Sequence, residues 1–340
     1  MWRRWFGIGL LWFCAPLYAL VVRIGLTAVS PHDYWWPIVQ GRAAERLGEI
    51  PDSNLFLFTM EQSAAFFNQP WLAQRFMWQI HAWGGVSWGV YTNALLVCSA
   101  FLVLLWGSRQ LGASMRLNAV MAMLAAIFAS SGMSVRTQMF AVPCFAATYM
   151  SLFLFSRYGF ARWRYLLVLL VAVPLWANVH GSFILATLMA GGFGLGKCLE
   201  VHGLRYRVEV AGVWGALIAV IVGLSCVTPH GVDVFLYVLD LQSKMGGGAN
   251  VSEWAPMAFE GEGLLFYGAA IVSGVCALFW RRHVGLGPLI VMTGLLWLAV
   301  TGRRNLIWWA MSSQVILAVG GTYWWRMKRG GKAKGETTRT

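Results

Sequence analysis

The sequence predicts an all-α polytopic membrane protein. It would be a bundle of about ten transmembrane helices with a long first extracytoplasmic loop carrying short interfacial helices. Three observations carry this. Charged residues make up 11% of the 340-residue chain and hydrophobic residues 59%, whereas a soluble domain has roughly 25% charged residues. Apolar runs near the length needed to cross a bilayer recur from one end to the other. Basic residues gather in the short connectors between alternate runs, the pattern that orients membrane helices.

The candidate spans are 5–28, 86–106, 117–132, 138–156, 163–179, 181–198, 208–228, 264–280, 284–301 and 305–325. The opening "MWRRWFGIGLLWFCAPLYALVVRIG" has the basic-then-apolar order of a signal peptide. No clear small-x-small cleavage site follows, so it is read as an uncleaved first span. The first outer loop, 29–85, holds two short surface helices. One lies in "IVQGRAAERLGEIP", which Gly-Glu-Ile-Pro stops. The other is "PWLAQRFMWQIHAWGG", whose tryptophans suit a helix lying in the interface. A second long outer loop covers 229–263, and 326–340 reads as a disordered basic tail after a single membrane domain, 1–325.

Charge sets the sidedness. With a cytoplasmic N-terminus, 18 of the 26 basic residues fall in cytoplasmic segments and 10 of the 13 acids fall outside. Both termini are then cytoplasmic, in a bacterial cytoplasmic membrane. The net charge of +13 is spread over connectors rather than one soluble face, so it does not point to nucleic acid. The six cysteines lie in or beside apolar runs with no CxxC and read as small buried hydrophobes. No HExxH, P-loop or GxGxxG pattern occurs and no GxSxG nucleophile site is read; no cofactor is read, and a divalent metal has no supporting cluster. The sequence carries no signal for oligomeric state.

The polar motifs land on the outer side. Asp33 stands between an apolar span and the aromatics Trp35 and Trp36 in "SPHDYWWPIVQG". Desolvation there would raise its pKa and suit it to general-base work; an exposed acid beside an interfacial aromatic belt fits the same residues. In "LWANVHGSF", Asn178 and Gly181 are accounted for by a cap and a bend, while His180 is not. Arg136, Arg303 and Arg304 stand at outer helix ends. They suit an anionic partner such as phosphate, or pairing with Asp33, Glu253 or lipid headgroups. Glu253 lies in "SEWAP", and His230 follows Pro229 in "TPHGVDVF", where it could equally cap the segment after it.

Taken in order, "HDYWWPIVQGRAAERLGEIPDSNLFLFT", "PWLAQRFMWQIHAWGG", "LWANVHGSF", "TPHGVDVF", "SEWAP" and "GRRNLIWW" resemble a family of bacterial membrane proteins with the GT-C glycosyltransferase architecture. The likeness is to enzymes of mannosyltransferase type that use polyprenyl-phosphate sugars, and it runs over roughly 30–310. The resemblance implies sugar transfer on the outer face from a polyprenyl-phosphate donor to an envelope acceptor, with membrane lipids as the other partner. It assigns Asp33 as base and Arg136, Arg303 or Arg304 to the donor phosphate. Trp35, Trp36 and Trp71 would stack on sugar or line the lipid groove, and Asn178, His180, His230 and Glu253 would lie around the acceptor pocket. The family reads Asp-x-Asp-x-Trp-Trp-His where this chain has Pro31 and Pro37 in place of the first Asp and the His. A usual acid near "PWLAQRF" is Gln74 or Arg75 here. The other classes compatible with the sequence are a transporter or flippase of a lipid-linked or anionic solute, and a non-catalytic membrane subunit.

Overall fold

A computed structural model describes residues 8–56, 61, 65–245 and 253–330. Its helices are α1 (Ile8–Gly25), α2 (Pro31–Leu47), α3 (Trp71–Gln110), α4 (Met115–Ala129), α5 (Gln138–Tyr158), α6 (Leu169–Val179) and α7 (Ile184–Glu200). They continue with α8 (Leu204–Ser225), α9 (Asp233–Met245), α10 (Glu262–Phe279), the single turn α11 (Arg281–Val284), α12 (Leu286–Thr301) and α13 (Leu306–Lys328). Among the described residues there is no named strand, only an isolated bridge between Ser53 and Ala65. Each of the ten expected spans overlaps one of these helices; 163–168 of the fifth form a 3-10 stretch, and 5–7 of the first lie outside the described residues. Among the described residues, five helical segments could cross a membrane by length and apolarity alone: Trp71–Gln110, Gln138–Val179, Gly181–Glu200, Leu204–Ser225 and Glu262–Phe279. Three shorter apolar helices accompany them.

The differences from the sequence reading lie at the outer loops and the far end. The stretch around Asp33 is helical: α2 begins at Pro31 and runs through Pro37. Proline at the first helical position costs nothing, because that N–H has no intrahelical partner anyway. The expected stop at Gly48 holds, with a left-handed φ of 74°. The expected interfacial helix and the following span form one element, α3, broken at Gly84 and Gly85. Gly85 sits at φ 62°, ψ −153°, a region open in practice only to glycine. The second outer loop contains the 13-residue helix α9. At the far end α13 continues to Lys328, and 331–340 lie outside the described residues.

Helices α5 and α13 are the centre of the bundle. Both are buried almost all round, α13 from Leu306 to Gln314 without a break. A helix without a polar stripe can be stable only when neighbours cover every face. α3 packs on α5, α4 on α13, and α12 on α7. At the last contact small residues set the distance: a Cβ on Gly196 would stand 2.2 Å from the Gly287 backbone nitrogen. Such close backbone approach is how membrane helices gain packing energy where no hydrophobic effect favours it.

α2 lies against the first part of α3. Tyr34, Ile38, Met77 and Val135 form a small buried cluster of their own, and the Tyr34 hydroxyl is 2.9 Å from His81 Nδ1. Gly41 lets the two backbones meet, since a Cβ there would reach 2.2 Å from the Gln74 carbonyl oxygen. This contact fixes which way the first turn of α2, and with it Asp33, faces.

The basic connectors expected on one side meet at one end of the bundle. There the Tyr158 hydroxyl donates to the Gln110 carbonyl (2.8 Å), the Ser114 N–H to Thr322 Oγ1 (2.8 Å) and the Leu286 N–H to Glu200 Oε1 (2.6 Å). The motifs around Asp33, Arg136, His180, Glu253 and Arg304 meet at the other end.

Replacing Gly196 by valine forces the α7–α12 backbones apart and is expected to destabilise the protein by about 1–3 kcal/mol. A lowered thermal midpoint of the purified protein in detergent checks this, with Gly191→Val, which has open space around it, as the neutral comparison.

Candidate active site at the helix N-termini

The site is built from helix beginnings. Asp33 stands in the first turn of α2 and Arg136 two residues before α5. His180 precedes the 3-10 turn that leads into α7, and Arg304 lies in the 3-10 turn before α13. Four helices thus begin around one place and turn their positive dipole ends toward it. That is the arrangement an anion prefers.

Between them lies a cavity of about 740 Å³. It is lined by Asp33, Trp35, Trp36, Arg136, His180, Glu253 and Arg304, together with His32, Phe56, Gln138 and Trp254. Trp35 and Trp36 line the cavity and are partly exposed, at 47% and 37%, with edge-to-face contacts to Tyr34 and His81 and to Phe56. A second, more apolar cavity of about 440 Å³ adjoins it. Its apolar wall comes from α7, α9 and α12, including Ile184, Leu188, Leu239, Leu241 and Leu298. The two cavities share Thr137, Gln138, His180, Trp254 and Arg304, which therefore form the wall between them.

Electrostatics sort the three arginines. Arg136, only 7% exposed, gives both oxygens of Glu253 bonds of 2.8 Å from one Nη atom. It also stands 4.0 Å from Asp33 Oδ2. This guanidinium ties the turn before α5 to the 253–256 segment and flanks Asp33. Backbone bonds lock that segment to the turn before α13: the Arg304 N–H donates to the Glu253 carbonyl (3.1 Å) and the Arg303 N–H to the Ala255 carbonyl (3.2 Å). Arg304 has no carboxylate at ion-pair distance among the described residues. It lies over the Trp254 ring, 4.2 Å from the centroid, and Nη2 is 3.2 Å from His180 Nε2. Burial and the neighbouring Arg136 draw its pKa down to about 10, so it is still charged at neutral pH. Arg303 is exposed, 4.0 Å from Glu262, and lines neither cavity.

The His180 tautomer follows from its partners. Trp176 Nε1 donates to Ser182 Oγ (3.0 Å), and His180 Nδ1 is 2.8 Å from the same oxygen. The Ser182 N–H also faces Nδ1, at 3.1 Å, so it competes with Arg304 for the single ring lone pair. A charge-assisted bond is roughly twice as strong as a neutral one. Nε2 therefore accepts from Arg304, and Nδ1–H donates to Ser182. Burial, then the Arg304 and Arg136 charges, hold the His180 pKa well below its ordinary 6.5, because protonation would leave Arg304 facing a second cation.

Of the residues singled out from sequence, seven meet in the larger cavity and four do not. Trp71 Nε1 donates to Asn178 Oδ1 (2.8 Å), and the Asn178 amide donates to the carbonyls of Pro174 and Val227 (both 2.8 Å). These two residues fasten α3 to α6 and the end of α8. His230 stacks on Phe67, 4.1 Å between centroids, with Nε2 3.3 Å from the Asn68 carbonyl oxygen. Arg303 points elsewhere. Sequence reasoning passed over Trp254, Gln138 and Phe56 as site residues. Trp254 had a signal, its place beside Glu253 in "SEWAP"; Gln138 and Phe56 had none. The Asp33 side chain is half-buried, 36% exposed. Among the described residues no group of three or more His, Cys, Asp or Glu could hold a metal.

Comparison with known families finds no match, and no curated protein matches in sequence. Among solved structures, the chain is similar to the archaeal oligosaccharyltransferase AglB from Archaeoglobus fulgidus, solved in complex with an inhibitory peptide and a dolichol-phosphate. The TM-score is 0.61 at 12% identity, over 100% of this chain and 53% of that one. The chain thus spans about half the length of the protein it matches. At this identity the likeness is one of fold: an all-helical bundle similar to that of a GT-C membrane enzyme.

His180 stays neutral in the folded protein but binds a proton near pH 6.5 when unfolded. It therefore costs stability as pH falls below about 6.5 and contributes no pH dependence above it. His180→Gln is expected to shrink the loss of thermal midpoint between pH 7.5 and pH 5. An unchanged loss would mean that His180 is protonated in the folded state.

Proposed function

We propose that the protein is a glycosyltransferase of the GT-C type, moving a sugar from a polyprenyl-phosphate donor to a hydroxyl of an envelope acceptor. In this reading it lies in a bacterial cytoplasmic membrane with both termini cytoplasmic and the Asp33 end of the bundle outside. The observation that carries the reading is the convergence of one carboxylate, Asp33, and one guanidinium without a carboxylate partner, Arg304, on a cavity flanked by an apolar chamber. The GT-C-like fold supports it.

The chemistry divides between the two groups. Asp33 accepts the proton of the acceptor hydroxyl as its oxygen attacks the anomeric carbon. The bond from that carbon to the phosphate oxygen breaks, and its electron pair leaves with the polyprenyl phosphate, giving inversion at the sugar. Arg304, at the wall shared by the two cavities, meets the growing phosphate charge, with the helix N-termini adding to the positive field. Trp254 beneath and His180 beside it hold the guanidinium without neutralising it. Arg136 acts through Glu253 and Asp33 as an organiser of the site. The polyprenyl chain occupies the apolar chamber, and Trp35 and Trp36 stack on sugar.

A transporter would need charge near the middle of the membrane. Among the described residues the charged side chains most withdrawn from solvent include Arg136 and Arg304, both at the site end, which favours the enzyme.

Asp33→Asn is expected to lower transfer by about 10²–10⁴-fold at unchanged expression. Mass spectrometry of envelope glycans and lipid-linked sugars in a deletion strain, rescued with wild type or with the variant, reads this directly. Rescue by Asp33→Asn would remove Asp33 as the base. The arginines should separate as well: Arg304→Ala weakens donor use by about tenfold or more, while Arg303→Ala leaves it near wild type. Equal losses would return the donor phosphate to both.

A further inference from the structure

We propose that a cavity at the opposite end of the bundle seats the phosphate headgroup of an anionic membrane lipid. The cavity holds about 310 Å³ and lies among the ends of α5 and α7, the turn α11 and the start of α12. Arg157, Lys197, Arg281 and Arg282 face it, against one acid, Glu200.

Glu200 is already committed. It accepts from Lys197 Nζ at 2.9 Å and from the Leu286 N–H at 2.6 Å, and so pins α7 to α12. Among the described residues, Arg157, Arg281 and Arg282 have no carboxylate at ion-pair distance. The charge bias that orients membrane helices accounts for basic residues at this end. It does not account for three unpaired guanidiniums meeting at one concavity, which suits the several oxygens of a phosphate group.

Two features favour a lipid over a free ion. The floor is apolar, with Phe153 and Val284 both buried. The same end also carries exposed aromatics, Phe160 at 67%, Trp163 at 54% and Tyr206 at 61%. Such residues sit at headgroup level, which sets the cavity at the depth of lipid phosphates.

The test is the thermal midpoint of the purified full chain in detergent, titrated with phosphatidylglycerol, phosphatidylcholine or inorganic phosphate. Phosphatidylglycerol is expected to raise the midpoint more than phosphatidylcholine, and inorganic phosphate at equal concentration to do little. The Arg281→Gln/Arg282→Gln protein should need about tenfold more phosphatidylglycerol or more for half the effect, and Arg157→Gln should shift the same way. Arg116→Gln/Arg164→Gln removes equal charge outside the cavity and should behave as wild type. Equal loss in the two double variants, an equal effect of inorganic phosphate, or no preference for the anionic lipid would each overturn the proposal.

Discussion

A bilayer solvates neither charge nor open backbone, and the architecture follows from that constraint. Every spanning segment must close its own hydrogen bonds, so the chain is helical throughout its described spans. Charge is driven to the two ends, and buried charge there keeps polar partners: Arg136 pairs with Glu253, and Arg304 lies on Trp254 and against His180. Chemistry that needs ions therefore has two possible locations, and the loops at one end are long enough to build it.

Helix direction then decides what that end can do. α2, α5, α7 and α13 all begin there, so their dipoles add. An arginine stacked on tryptophan and hydrogen-bonded to a neutral histidine stays charged and open, because none of its partners is an acid. Arg136, by contrast, is spent on two carboxylates. Two guanidiniums that look alike in a list of residues thus do different work: one holds the site together and the other is free to meet an anion.

The same economy governs packing. α2 buries one face, from Tyr34 to Ala44, and it keeps its place through Tyr34 on His81 and the glycine contact at Gly41. Asp33 owes its position to that contact more than to any bond of its own. Trp71 and Asn178 do comparable structural work, joining α3 to α6, although their motifs had suggested ligand contact.

The sequence by itself determined the membrane class, the places of the apolar helices and the segregation of motifs and basic connectors to opposite ends, because each depends on local composition and on the bilayer as solvent. It also marked Asp33, Arg136, His180, Glu253 and Arg304, since polar residues interrupting apolar runs are costly enough to stand out. Only the tertiary structure decided which of them face one another. Side-chain direction at a helix end depends on packing against partners distant in sequence, so Trp71, Asn178, His230 and Arg303 share the right end of the bundle yet miss the cavity. Gln138 and Phe56 enter it through the same long-range contacts, which leave no local pattern to read. The helical state of "HDYWWP" and the pairing that sets Arg304 apart from Arg136 were tertiary decisions too: α2 needs α3 to lie on, and an ion pair is defined by distance, not by sequence.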